Sequence, residues 1–153
     1  MKKTTSTFLL IFLSIQTHAS PEKELYAVIK GQSICVYTND IKTKPYNNQV
    51  YLYLGDIVYG KKFKSTYSQV YKNIKMPISK NECISIDQSY FKNDVPYVIV
   101  LDMEKSYSLR ICVKKGSKQT LLKETLDGYT CQNEKIIKKE KTISEKLLNW
   151  LKS

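Results

Sequence analysis

Three acidic residues that lie close together in the sequence, Asp94, Asp102 and Glu104, are the first candidates for acid–base chemistry. Two carboxylates that flank a glycosidic bond can cleave it. The latter two, however, are more typical of a solvated strand end and turn. The single histidine, His18, lies in an N-terminal segment that we expect to be removed. The mature chain then offers no Ser-His or Cys-His dyad and no histidine-based zinc site. We therefore expect a protein that is not an enzyme and that carries no metal and no cofactor.

Four cysteines, Cys35, Cys83, Cys112 and Cys131, are the other residues with chemical potential. An even number in an exported chain indicates two disulfides, for which three pairings exist. We favour Cys35–Cys83 with Cys112–Cys131. Cys35 and Cys83 each alternate with flanking aliphatic residues in the same way, so both sulfurs point to the face opposite those residues. The chain between Cys112 and Cys131 resembles a hairpin, so closing this loop costs little entropy. The competing pairing, Cys35–Cys112 with Cys83–Cys131, would require a different strand order.

The N-terminus has the features of a secretory signal. Lys2 and Lys3 precede an apolar run over residues 8–15, and the segment ends with a small residue, Ala19. This order predicts a cleavable signal peptide over residues 1–19. The run is shorter than the ~20 apolar residues that a membrane span requires, so we expect no transmembrane anchor. No cysteine lies near the cleavage site, which excludes a lipobox.

Charge narrows the classes of partner. The chain has 25 basic and 14 acidic residues, and removal of Lys2 and Lys3 leaves a mature net charge of +9. Arg110 is the single arginine. Nucleic-acid sites favour arginine forks, and export separates the protein from nucleic acid, so we expect no nucleic-acid partner. The lysines either form an ordinary solvated surface or match an acidic partner or an anionic envelope.

Short β-type runs separated by turn residues predict the fold. The runs cover residues 25–29, 33–37, 50–54, 57–59, 63–71, 82–86, 97–101, 107–113, 119–126 and 129–131. Their spacing predicts a mainly β, small antiparallel β-sandwich of the immunoglobulin-like type over residues 20–133, with a small barrel as the alternative. The most apolar run, 97–101, is expected to be a central strand buried on both faces. The polar run 63–71 is expected at a sheet edge.

The C-terminal tail, residues 134–153, has a different pattern. Thr142 and Glu145 fit a capping box. An apolar stripe then follows helical spacing, which predicts a C-terminal α-helix from about residue 143 to 152. We expect the stripe to pack on the domain, and binding to a membrane surface or to a partner is the alternative. The stripe consists of Ile143, Leu147, Trp150 and Leu151.

Tyrosine is abundant, with twelve in the chain. Tyrosine suits β-strands, and it also gives large contact area at protein interfaces. Tyr51 and Tyr53 share one face of a predicted strand, and further tyrosines and lysines follow them. These residues predict a mixed aromatic and basic surface that binds a protein, although ordinary strand composition would also explain them. The candidate surface comprises Tyr51, Tyr53, Tyr59, Lys61, Lys62, Lys64 and Tyr67.

Four segments carry a resemblance to a known family. They are Gly31-Gln32-Ser33-Ile34-Cys35-Val36, Tyr51-Leu52-Tyr53-Leu54-Gly55, Asn81-Glu82-Cys83-Ile84-Ser85-Ile86 and the run 97–101. Together they resemble the type VI secretion system immunity periplasmic lipoprotein family of Gram-negative bacteria, over residues 25–113. The resemblance implies Cys35–Cys83 as the core disulfide, a periplasmic location and a non-enzymatic protein that binds and neutralises a toxic effector protein.

The chain departs from that family in two respects. It lacks the lipobox cysteine, and it adds a second cysteine pair and a C-terminal helical segment. A different class, a general envelope-binding module such as a lysozyme inhibitor or a subunit of a surface assembly, is the alternative function. The sequence does not indicate an oligomeric state.

Overall fold

Nine β-strands make up about half of the part of the chain that the computed structural model describes, residues 22–117 and 119–132. The predicted signal peptide and the predicted C-terminal helix lie outside these residues. The strands are β1 Lys23–Glu24, β2 Tyr26–Lys30, β3 Ser33–Tyr37, β4 Gln49–Asp56, β5 Tyr67–Lys72, β6 Ile84–Asp87, β7 Pro96–Asp102, β8 Ser106–Lys115 and β9 Thr120–Glu124, and a 3₁₀ helix covers Gln88–Tyr90.

The strands form two sheets. In the six-stranded sheet the order is β1-β8-β7-β4-β5, and β9 also pairs with β8. In the three-stranded sheet the order is β2-β3-β6. All of these pairs are antiparallel except that of β1 with β8. The fold is therefore mainly β and the sheets fit a β-sandwich, whereas the immunoglobulin-like topology stays a prediction.

Alternation along each strand creates the core. In β4 and β7 every second residue is buried, since successive side chains of a strand point to opposite faces. The three-stranded sheet contributes the facing side chains. The core between the sheets contains Ile34, Val36, Val50, Leu52, Leu54, Ile84, Ile86, Tyr97, Ile99, Leu101, Tyr107, Ile111 and Val113.

The strand predictions are confirmed in outline and wrong in three details. β7 is central, between β4 and β8, and β5 is at an edge. However, Val98 and Val100 of β7 are only half-buried, because the second sheet covers one face of this strand and not both. The run 57–59 is a loop that leads into a turn, and 129–131 contains only a single bridge, between Thr125 and Cys131.

Both predicted disulfides, Cys35–Cys83 and Cys112–Cys131, are present. Cys35 pairs in register with Ser85 of β6, and Cys83, the residue just before β6, is two positions from Ser85 and therefore diagonal to Cys35. The cysteines of the two bridges are 48 and 19 residues apart in sequence. The chain-entropy estimate for such loops is about 4 and about 3 kcal/mol respectively. Two disulfides are consistent with a location outside the cytoplasm.

A polar network fastens β1 to one end of the sandwich. The Lys23 ammonium donates to the Asp40 carboxylate at 2.7 Å, and the Tyr107 hydroxyl donates to the same oxygen at 2.9 Å. The buried hydroxyl of Thr43 lies 2.9 Å from that of Tyr107. The Lys23 hydrogen bond, with smaller contributions from the Lys42 amide and Tyr107, holds the pKa of Asp40 well below its usual range. Residues from the N-terminus, a loop and β8 are thus joined through one carboxylate.

Candidate functional site

The outer face of the six-stranded sheet, which points away from the three-stranded sheet, carries the candidate site. Tyr51 and Tyr53 lie on this face because they alternate with the buried residues of β4. Gly55, Val98 and Arg110 form one row across β4, β7 and β8, since Gly55 is in register with Val98 and Val98 with Arg110. Two loops flank this row.

The first loop, residues 57–66, connects β4 to β5. The Ile57 amide donates to the Pro96 carbonyl at 2.8 Å, which holds the loop against β7. A tight turn follows, in which the Lys61 amide donates to Val58 at 3.1 Å and Gly60 has a φ of 71°. A positive φ at the third position is characteristic of a type II turn and favours glycine. Tyr59 stands at the corner of this turn with 82% of its surface exposed.

Gly55 allows the same loop to cross the sheet closely. A Cβ atom at Gly55 would lie 2.5 Å from a Phe63 ring carbon and 2.5 Å from the Lys64 carbonyl oxygen. Such a separation is far inside van der Waals contact, so only glycine permits this approach. The Thr66 amide then donates to the Leu54 carbonyl at 2.8 Å and returns the chain to the sheet.

The second loop, residues 125–131, follows β9 and is held by two devices. The Asp127 carboxylate accepts from the amides of Tyr129 and Thr130, each at 2.8 Å, and these bonds lower the pKa of Asp127. The disulfide from Cys131 to Cys112 then attaches the loop to β8. Tyr129, two residues before Cys131, is positioned by both devices.

The two loops meet above the sheet and enclose a groove of about 300 Å³. The rings of Tyr59 and Tyr129 contact each other edge to face, with centroids 5.1 Å apart and an interplanar angle of 74°. We call this site the aromatic–basic groove. Its lining includes the aromatic residues Phe63 and Tyr129 and the basic residues Lys61, Lys62, Lys64 and Arg110, and we include Tyr59 because its ring contacts that of Tyr129.

The cations of the groove have no side-chain partners among the described residues. None of its three lysines, nor Arg110, makes a side-chain hydrogen bond or ion pair within the described part of the chain. Among the described residues, Asp56 is the one acidic residue that lines the groove. By contrast, Lys23 pairs with Asp40, and the buried Lys123 lies 3.3 Å from the Asp94 carboxylate. The groove is therefore a positively charged surface.

The candidate surface predicted from the sequence is divided by the structure. Tyr59 and the three lysines belong to the groove. Tyr51 and Tyr53 lie on the same outer face but do not line the groove. The Tyr51 hydroxyl donates to the Gln49 side chain at 2.6 Å. Tyr67 lies on the opposite, core-facing side, because it is in register with the buried Leu54. Its ring contacts that of Tyr90 in a tilted arrangement, with centroids 4.2 Å apart.

Three residues of the groove are additions to the sequence prediction: Phe63, Tyr129 and Arg110. Arg110 alternates with the inward-facing residues of β8, so the strand pattern places it on the outer face. Tyr129 could have been located from the disulfide pairing, which brings residue 131 to residue 112 and hence residue 129 towards Arg110. Phe63 has no such signal, because its position depends on the absence of a side chain at Gly55.

Asp94 and Asp102, two of the acidic residues considered first, are too far apart to act together on one glycosidic bond. Asp94 lies two residues before β7, and Asp102 is the last residue of this strand, whose seven residues span roughly 20 Å at about 3.3 Å per residue. Glycosidases need carboxylates within about 10 Å of each other. Asp94 contacts Lys123, and Asp102 accepts from the Ser106 hydroxyl at 2.6 Å.

Within residues 22–117 and 119–132, no cluster of three candidate metal ligands occurs. Nor does that part of the chain contain a helix long and apolar enough to cross a membrane.

Comparisons with known protein families, with curated proteins and with solved structures found no match for this chain. Function must therefore be inferred from the groove and from the sequence patterns around it.

Proposed function

We propose that this protein is a periplasmic immunity protein, which binds a toxic effector delivered by a neighbouring cell and neutralises it by occlusion. The observation that carries the proposal is the aromatic–basic groove. It combines exposed aromatic rings, the side chains that most often anchor protein interfaces, with cations that have no partner among the described residues. Such a surface is suited to binding a protein.

Rigidity favours binding by this surface. The Cys112–Cys131 disulfide, the Asp127 hydrogen bonds and the Ile57–Pro96 hydrogen bond fix both loops before a partner arrives. A surface that is already ordered loses little conformational freedom on association, which increases affinity for a given contact area. Tyr51 and Tyr53 extend the same face beyond the groove and provide further contact area.

Other features support the class of function. The predicted signal peptide and the two disulfides fit a protein that acts in the periplasm. The resemblance of the cysteine-bearing strands to immunity proteins indicates the kind of partner, and it is compatible with an immunoglobulin-like sandwich. An inhibitor by occlusion needs a rigid surface rather than catalytic residues. It acts by covering the active cleft of the effector.

A competition assay tests the proposal. We would delete the gene in the source strain and grow the deletion strain in contact with its parent. The parent should kill the deletion strain, because the deletion removes protection but leaves the parental effector intact. The full-length gene should restore survival, whereas a version without residues 1–19 should not, since it would stay in the cytoplasm.

Equal survival of the two strains would contradict the immunity function. Size-exclusion chromatography with lysozyme separates this proposal from the envelope-binding alternative. A basic groove should not bind a basic lysozyme, because like charges slow encounter and oppose docking. Co-elution with lysozyme would favour the alternative.

A further inference from the structure

We infer that the aromatic–basic groove receives a carboxylate side chain from an acidic segment of the partner protein, and that Arg110 is the residue that binds it. This inference deepens the proposed function and rests on it. It specifies the chemistry of the partner's contact surface, which an immunity function alone leaves open.

Arg110 is placed by the sheet rather than by a loop. It occupies an outward position of β8, in register with Val98 of β7, so its backbone is held by strand pairing with β7. Gly128 packs directly against the guanidinium, since a Cβ atom at Gly128 would clash with the terminal Nη1 nitrogen. A planar guanidinium held in this way can donate two parallel hydrogen bonds to one carboxylate.

The local charge favours an anion. Lys61, Lys62, Lys64 and Arg110 line the groove together with one acidic residue, Asp56. On its other side Arg110 borders a depression that contains Glu22, Glu24 and Glu124. No described carboxylate forms an ion pair with its guanidinium, however, so Arg110 is available to an external ligand. Lysines around an arginine also raise the rate of encounter with an acidic surface.

The shape favours a protein side chain over an anionic membrane. Val98 and Arg110 belong to the sheet, and residues of the two loops line the same groove, in which Tyr59 and Tyr129 contact each other. A side chain that projects from a partner can enter this groove beside the ring contact. A flat layer of lipid headgroups would meet the loops first. Phe63 and Tyr129 line the same groove as the guanidinium. A bound partner would cover these rings and exclude water from the contact, which strengthens a charged hydrogen bond.

Nuclear magnetic resonance titration of the mature protein tests the inference. The probe is a capped hexapeptide of glutamate, and the control peptide is a capped hexapeptide of glutamine. We expect the glutamate peptide to shift amide signals of residues 57–64, 109–111 and 127–130, and the glutamine peptide to shift none. Shifts spread evenly over all lysine-rich surfaces would overturn the inference, since they would indicate a general charge effect.

Variants make the test specific. Arg110→Gln should weaken binding of the glutamate peptide about tenfold, in line with the loss of one bidentate charged contact. Arg110→Lys should also weaken it, because an ammonium keeps the charge but not the two-pronged geometry. The matched control is the triple variant Lys42→Gln, Lys75→Gln, Lys92→Gln, which alters exposed lysines outside the groove. It should leave the pattern of shifted residues unchanged, and unchanged affinity of Arg110→Gln would refute the role of this residue.

Vesicles of phosphatidylglycerol provide the membrane comparison. At physiological salt we expect them to bind the protein weakly and not to displace the glutamate peptide from the groove. Tight vesicle binding that displaces the peptide and is lost in Arg110→Gln would overturn the inference in favour of a lipid ligand.

Failure of the inference and failure of the proposed function can be told apart. If the deletion strain needs protection and the Arg110→Gln gene restores it fully, the immunity function stands and the carboxylate contact is refuted. If the deletion strain survives unaided, the immunity function fails, while the peptide titration still decides whether the groove binds carboxylates.

Discussion

Tyr59 and Tyr129 stand 70 residues apart in the chain, and their rings contact each other edge to face at 5.1 Å. The contact joins a loop between two sheet strands to a loop fixed by a disulfide. Each loop is closed by its own hydrogen bonds, so the ring pair is the point at which they support each other. The geometry of the groove depends on this pair.

The first prediction concerns the coupling of these two rings. Tyr59→Ala and Tyr129→Ala should each destabilise the fold slightly, and the double variant should lose less than the sum, with a coupling free energy of about 0.5–1.5 kcal/mol. Urea unfolding of the four proteins measures it. Tyr46→Ala, at an exposed tyrosine away from the groove, is the control partner and should be additive with Tyr129→Ala. Additivity of the Tyr59 and Tyr129 variants would show that the ring contact contributes nothing.

The second prediction separates the roles of the disulfides. Replacement of Cys112 and Cys131 by serine should lower the free energy of unfolding by about 3 kcal/mol, and the same change at Cys35 and Cys83 by about 4 kcal/mol. In the first variant, amide exchange at Tyr129 and Thr130 should also become faster under native conditions. In the second it should not, because that bridge joins β3 to the residue before β6. Equal exchange at these amides in both variants would contradict a positioning role for the second bridge.

The third prediction concerns Asp40 and acid. Its pKa in the folded protein lies below the value of about 3.9 for an unfolded chain, because Lys23 and Tyr107 donate to the ionised carboxylate. The stabilisation is therefore fully present above the unfolded pKa and is lost as pH falls towards the folded pKa.

Urea unfolding between pH 6 and pH 2 measures the effect. Wild type should lose stability below about pH 4, and Asp40→Asn should lose less over the same range while being less stable at pH 6. Asp56→Asn removes a carboxylate that makes no bond to the described residues, so it is the matched control and should follow the wild-type curve. Parallel curves for wild type and Asp40→Asn would contradict the prediction.

The fourth prediction uses Gly55. Gly55→Ala should displace the 57–66 loop, because the added methyl group would collide with the Lys64 carbonyl and the Phe63 ring. We expect a loss of about 1–3 kcal/mol and a change in the amide signals of the groove. Gly60→Ala is the control for backbone strain alone, since nothing lies near its Cβ position although its φ is positive. If both variants shift the groove signals equally, crowding at Gly55 is not the cause.

The local pattern of the sequence predicted the alternation in β4, the central position of β7, the edge position of β5 and both disulfides. Each of these depends on periodicity or on turn residues that lie within a few positions. The alternation of side chains between the two faces of a strand also explains why the sequence assigned Tyr67 to the wrong face of β5. An edge strand of mixed lysine and tyrosine has no strong apolar face, so pairing with β4 decides which way its residues point.

Features that depend on distant contacts could not be predicted. β1 is only Lys23 and Glu24, two residues without β propensity, and it forms because Asp40 and β8 hold it. Similarly, Ile57-Val58-Tyr59 has the composition of a strand, but the Gly60 turn and the hydrogen bond to Pro96 make it a loop. Phe63 and Tyr129 reach the groove through a close approach and a disulfide.

The alternation of β8 separates two kinds of change that the gene can accumulate. Leu109 and Ile111 face the interior, while Arg110 between them faces outwards. If the groove binds a partner as proposed, substitutions at Arg110 or at the groove lysines would alter which proteins are bound while the interior side chains stay as they are. Under the proposed function, lineages would then diverge in partner choice while keeping the same melting temperature. Relatives would then resemble one another in their interior residues and differ in the groove.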